Sequence, residues 1–144
     1  MNAKGEFMNK PAILLTVVLS MAALSESVLA GGLDGATPAV CATTQTFDCG
    51  PGQQCIADSP EAVNVPRLIR LDFAAKKAFT KKTTGEERVA EIGSVSSQEG
   101  ELLLQGVQNG FGWTMSISND TGDMTLTIAG KGAGFIIFGS CAPL

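Results

Sequence analysis

Along most of this chain apolar and polar side chains alternate with a period of two, a pattern that suits β-strands with one dry face and one wet face. In "RLIRLDF" Ile69, Leu71 and Phe73 share one face, and Arg70 and Asp72 take the other. "GWTMSIS" groups Trp113, Met115 and Ile117 against Thr114, Ser116 and Ser118; "DMTLTIA" groups Met124, Leu126 and Ile128 against Thr125 and Thr127. Half-wet strands of this kind pair antiparallel around one core. "ELLLQGV" and "GFIIFGS" are apolar on both faces and belong at the centre of a sheet or at a closure. Turn residues break the pattern at intervals of about 8 to 12 positions, the spacing of an all-β sandwich or barrel. The expected fold is therefore a single small antiparallel meander forming a barrel or sandwich of about eight strands.

The turns carry the same message. In "SNDTGD" Asn119 and Asp120 suit a type I turn, and Gly122 suits the left-handed position of a bulge. Gly110 and Gly112 around Phe111 mark a second reversal, and Gly130, Gly132 and Gly134 around Lys131 a third. Residues 101–141 should thus form four strands joined by three hairpins. "KKAFTKKTTGEERVAEI" holds good helix formers, but Thr80, Thr83, Thr84 and Gly85 interrupt it where a hairpin turn would sit. Two strands are expected there, with Lys81 and Lys82 across from Glu86 and Glu87. "DSPEAVNVP" is the longest irregular stretch, fixed as a loop by Pro60 and Pro66.

Export is written at the front of the chain. Lys10, an apolar run from Pro11 to Leu24 and a polar end at Val28-Leu29-Ala30 form a secretory signal, with cleavage expected after Ala30. Met8 is a plausible start within the longer sequence, and either start yields the same mature chain. The apolar run is shorter than the roughly 20 residues that span a bilayer, and no later stretch approaches that length. Residues 1–30 are thus read as signal peptide, 31–40 as a flexible mature N-terminus and 41–144 as one β domain. Cys41 lies too far from the cleavage site to carry a lipid anchor. Losing Lys4, Lys10, Glu6 and Glu26 with the signal leaves the net charge of −4 unchanged, which argues against a nucleic-acid partner.

Four cysteines, Cys41, Cys49, Cys55 and Cys141, lie in the exported part, and an even count in an oxidising compartment reads as two disulfides. Three connectivities exist, and geometry ranks them. "GPGQQ" between Cys49 and Cys55 favours a tight reversal, which leaves Cys41 to pair with Cys141. A closed loop of about 100 residues is worth roughly 4.7 kcal/mol in the chain-entropy account, about twice the short one. A zinc site is disfavoured by the wide Cys49/Cys55 spacing and by the absence of histidine.

Histidine and tyrosine are both missing, which removes imidazole-based triads, most catalytic metal sites and any phenolic acid or nucleophile. Asp48, Glu86, Glu87, Glu91, Glu99 and Glu101 are read as solvated surface rather than an acid–base pair. "NDTGD" lacks the length and distal glutamate of a calcium loop, and Asn119-Asp120-Thr121 matches a short glycosylation acceptor pattern that often arises by chance. Neither an enzyme activity nor a cofactor or metal is expected. The candidate partner-binding residues are Phe111, at an aromatic hairpin tip, and the basic cluster Lys76, Lys77, Lys81 and Lys82. Trp113 keeps phase with Met115 and Ile117 and should point inward.

Cys41, Phe47, Cys49 and Cys55, then "NVPRLIRLDF", "LLLQGVQNGFGW", "TGDMTLTIAG" and "GFIIFGSC", resemble a group of small exported bacterial β-rich proteins with an N-terminal cysteine cluster and a C-terminal FGxC. The resemblance spans most of the mature chain. It implies a bacterial origin and a periplasmic or secreted location, and it carries no activity. Two functional expectations follow. The first is an exported, non-enzymatic protein that binds another protein or an envelope component. The alternative is a small apolar-ligand carrier of lipocalin-like type, against which Phe73, Trp113, Met115 and Phe135 are expected to fill so small an interior.

Overall fold

The computed structural model describes residues 32–82 and 84–144; the expected signal peptide lies outside them. Among the described residues ten strands form one antiparallel sheet, and no helix interrupts them. They are Ala39–Cys49 (β1), Ile56–Asp58 (β2), Leu68–Asp72 (β3), Lys77–Lys81 (β4), Glu87–Glu91 (β5), Ser94–Gln98 (β6), Glu101–Gln108 (β7), Phe111–Ser118 (β8), Asp123–Gly130 (β9) and Ala133–Pro143 (β10). Their spatial order is β5-β4-β3-β1-β10-β9-β8-β7-β6, and β2 pairs with β1 beyond the end of β3. The count exceeds the expected eight because β2 is three residues long and β6, "SVSSQ", carries a single apolar side chain. Neither presents an alternating pattern strong enough to read.

The expected four-stranded meander is β7 to β10, in register throughout. Glu99-Gly100, Asn109-Gly110 and Lys131-Gly132 are two-residue loops with positive φ at both positions, the turn whose twist matches that of paired strands. The first of these adds β6 to the meander. Lys81 lies opposite Glu87, and Lys82 forms an ion pair with Glu86, as the hairpin reading requires.

The chain order forces curvature. β5 and β6 stand at opposite ends of the strand path, and only Ile92 and Gly93 connect them. A flat sheet would hold its edges about 38 Å apart at ordinary strand spacing. A two-residue link reaches about 11 Å. The sheet therefore curls into a half-barrel until β5 meets β7. The Gln108 side-chain amide donates to the Val89 carbonyl at 2.8 Å, and the Gly93 N–H donates to the Gln105 carbonyl at 2.8 Å. Gly106 is what allows this approach: a Cβ there would stand 2.5 Å from the Glu91 carbonyl oxygen and 2.4 Å from the Trp113 ring, which covers the glycine from the facing position on β8.

The inward residues of the alternating strands make the core: Ile69, Leu71, Leu102, Leu104, Met115, Ile117, Met124, Leu126 and Ile137 are all buried. Phe73 and Met115 are buried, and Trp113 and Phe135 pack against the core while staying partly exposed. The two disulfides are Cys41–Cys141 and Cys49–Cys55. Cys41 and Cys141 face each other directly in the β1/β10 ladder and are both buried. Residues 32–40, expected to be a flexible leader, are built into the fold. β1 begins at Ala39, Leu33 is buried against the end of the barrel, and the Asp34 carboxylate accepts hydrogen bonds from the Ala36 and Thr37 N–H groups. An apolar Leu33 next to a free barrel end outweighs the glycine-rich composition of the segment.

Cys141→Ser is expected to lower stability by about 4 to 5 kcal/mol and Cys55→Ser by about 2, because the bridges close loops of very different length; urea melts of the two variants test the order. Gly106→Ala is expected to cost at least about 1 to 3 kcal/mol, since the new methyl meets backbone as well as the indole. An unchanged melt for that variant would contradict the contact between β5 and β7.

Candidate functional site

The half-barrel is not filled evenly. At one end Leu33, the Cys41–Cys141 bridge, Leu102, Ile117 and Met124 pack closely, with Gly35 against Leu102. Toward the other end the inward positions of the same strands enclose an open cavity of about 640 Å³. Its deep wall is Ile69, Leu71, Ala78, Met115 and Leu126; nearer the mouth come Trp113, Ile128, Phe135 and Phe111. The inner rows of β4 and β5 change character along their length. They run from Ala78 through Thr80 to Lys82, and from Ile92 through Ala90 to Arg88.

One lip of the mouth is the loop between β2 and β3. Val65 is buried and its N–H donates to the Pro60 carbonyl at 2.8 Å, while the Thr43 hydroxyl donates to the Pro66 carbonyl at 2.9 Å. Glu61 and Arg67 pair across the loop's outer side. The backbone carbonyls of Pro60 and Pro66 thus tie the loop to itself and to β1. A smaller recess of about 230 Å³ adjoins the mouth, between this loop and Lys81, Lys82 and Arg88.

The charges at the mouth are partly matched. Lys82 pairs with Glu86, and the hydrogen bond from Lys82, then its charge, hold the Glu86 carboxyl below the ordinary carboxylate range, with Arg88 adding a weaker pull. Glu61 is also held low, first by its own backbone N–H and then by Arg67. Asp34, at the packed end, is lowered by the Thr37 and Ala36 N–H groups. Inside the barrel the Trp113 Nε1–H is buried without a hydrogen-bond partner, and so is the Thr46 hydroxyl. Such orphaned groups are uncommon in folded proteins.

The candidate binding residues are separated by this geometry. Phe111 is half-buried in the cavity wall, and the Lys131 ammonium lies 5.1 Å from its ring centre on the hairpin tip. Lys82 joins Phe111 on the mouth. Lys81 points to the outer surface opposite Glu87 and borders the recess, whereas Lys76 and Lys77 sit at the far end of β4, with Lys77 opposite Asp72 and Glu91. The four lysines thus form no single basic patch. Arg88, Ile128, Phe135 and the 63–66 loop were not among the expected site residues. The inward position of Arg88 depends on which face of β5 turns in, and "ERVAE" offers Val89 and Ala90 as equal candidates.

Of the acidic residues considered from the sequence, Glu86 alone lines the cavity, and Glu101 accepts a hydrogen bond from the Ser116 hydroxyl on the outer face. Among the described residues no three of Cys, Asp and Glu converge on a point that could hold a metal ion. No helix among them is long and apolar enough to cross a membrane. No protein family, curated protein or solved structure matches this chain. The site is therefore read from its own geometry.

The three lowered carboxyls contribute to the acid response. A depressed folded pKa contributes stability that is complete above the unfolded value, about 4.3 for Glu and 3.9 for Asp, and is lost as pH falls through the folded value. With no histidine in the chain, the thermal midpoint should be flat between about pH 5 and 8 and should decline below about pH 4. Glu86→Gln should remove part of that decline, and a midpoint that moves between about pH 6 and 7 would contradict the assignment.

Proposed function

We propose that this protein is an exported, non-enzymatic binder that takes a small molecule with an apolar body into the concave face of its half-barrel. The observation that supports this most directly is the cavity of about 640 Å³. Ligand sites commonly enclose roughly 300 to 1,000 Å³ behind mainly apolar walls with a few placed polar groups. Phe73, Trp113, Met115 and Phe135 were expected to fill the interior, but Phe73 belongs to the packed end and the other three line a space that stays open. The balance between the two functional expectations shifts accordingly toward the carrier. An apolar ligand would cover wall residues that otherwise face water, at about 25 cal/mol for each Å² removed from solvent.

Two disulfides are what an oxidising, exported environment sustains. A periplasmic or secreted location in a bacterium extends that statement by way of the signal sequence and the resemblance. A second reading, binding of another protein or an envelope component, draws on the outer face. Phe138 and Leu68 are exposed there at 40% and 59%, and Phe47 meets Phe138 edge to face with ring centres 6.0 Å apart.

Trp113 is the single tryptophan and stands in the cavity wall, so its emission reports on occupancy directly. Titration with a panel of apolar and amphiphilic small molecules should shift or quench it saturably, and Ala78→Leu or Ala90→Leu should weaken binding by filling the space. Silence across the panel would sink the carrier reading and leave the outer face as the stronger one.

A further inference from the structure

We propose that the ligand is a single-chain amphiphile with a carboxylate head, bound tail-inward, with its head at Arg88 beside Lys82. The inference rests on the cleft being a ligand site and adds the chemistry of what it selects. On one side of the cleft the inward rows grade from apolar to polar toward the mouth, Leu104 to Gly106 to Gln108 on β7, Ala78 to Thr80 to Lys82 along and just past β4, and Ile92 to Ala90 to Arg88 into β5, while the rows of β8 and β9 facing them stay apolar out to Phe111 and Ile128. A uniformly apolar ligand has no use for such a gradient, whereas an amphiphile matches it along its whole length.

Charge decides the sign of the head. Arg67 is engaged by Glu61 and Lys82 by Glu86, and Lys81 faces away from the cavity opposite Glu87. Arg88 borders both the cavity and the adjoining recess, and no carboxylate among the described residues lies within ion-pair distance of it. Arg88 is thus the cation lining the cleft that has no carboxylate partner, with the Lys131 ammonium held over the Phe111 ring near the rim, and the mouth calls for a negative charge. A neutral ligand would cover the half-buried guanidinium without replacing its water, and a cationic one would be repelled. The planar fork of arginine matches the two oxygens of a carboxylate better than a point charge does. Glu86 limits the site to a single anion, because it cancels Lys82.

Calorimetric titration of the mature protein with decanoate, dodecanoate and tetradecanoate, and with dodecanol and dodecylamine, tests this near pH 8. Dodecanoate should bind at least about tenfold more tightly than dodecanol or dodecylamine, the scale of a charge-assisted hydrogen bond. Successive chains in the series differ by two methylenes, each worth about fourfold in affinity until the cleft is full. Arg88→Gln should bring dodecanoate to the level of dodecanol, and an unchanged urea melt of the variant controls for an intact fold. Glu86→Gln should tighten dodecanoate relative to dodecanol. Equal affinities for dodecanoate and dodecanol in the parent, or an undiminished dodecanoate affinity in Arg88→Gln, would overturn the proposed head group while leaving the cleft as a site. If none of the five compounds binds, the cleft reading falls with it.

Discussion

Ile92 and Gly93 carry the chain from one edge of its sheet to the other, and that short step governs the shape of the whole molecule. Strands at opposite ends of a path can be joined by two residues only if the path bends round on itself. The bend brings β5 against β7, and the contact requires a position with no side chain, which Gly106 supplies. The indole of Trp113 then covers the gap on the inner side. An aromatic ring over a facing glycine is a recurrent way to restore packing where curvature has removed a side chain. Here the same ring becomes part of the cavity wall, so closure of the sheet and construction of the site share a residue.

The rest of the architecture secures that curl at its centre. β1 and β10, the first and last strands, lie side by side, and Cys41–Cys141 joins them at the buried face of the ladder. The bridge encloses almost the entire folded chain, which is why its entropic effect on the unfolded state should be large. Close packing gathers around it, with Leu33 covering the barrel end beside Leu102 and Ile117. Because one end is plugged in this way, the space left by an unfilled interior collects at the other. There the β2–β3 loop, the β4–β5 hairpin and the Asn109-Gly110 tip form a polar mouth. A half-barrel with one closed end and one charged end has a direction, and the proposed tail-inward ligand follows from it.

Much of this was legible before the strands were paired. The inward faces of β3, β8 and β9, the hairpins at Asn109 and Lys131, the β4–β5 hairpin and both disulfides follow from alternation, turn chemistry and cysteine spacing. β6 was not legible, since one valine among serines gives no period. Nor does the place of Leu33 show in the sequence, since a single leucine among small residues reveals nothing of the hole it fills. Phe79 and Val89 would be placed inside on hydropathy alone. They face outward as a register pair, with the Arg70 guanidinium 4.4 Å from the Phe79 ring centre, and the smaller Ala78 and Ala90 turn inward instead. That inversion is part of what keeps the cavity open.

The sequence by itself determined the fold class, the partners of its four cysteines and which residues lie inside most of the strands, because those depend on local periodicity and on chain connectivity. Whether the interior would be filled depended on something no local pattern carries, namely the radius at which the sheet closes. That radius comes from the two-residue link, the bare backbone at Gly106 and the small side chains of β4 and β5, which are far apart in sequence and meet only in the tertiary structure. Arg88 shows the same division: its charge is plain in the sequence, but its position at the mouth of an apolar cleft exists only once β5 has come round to face β7.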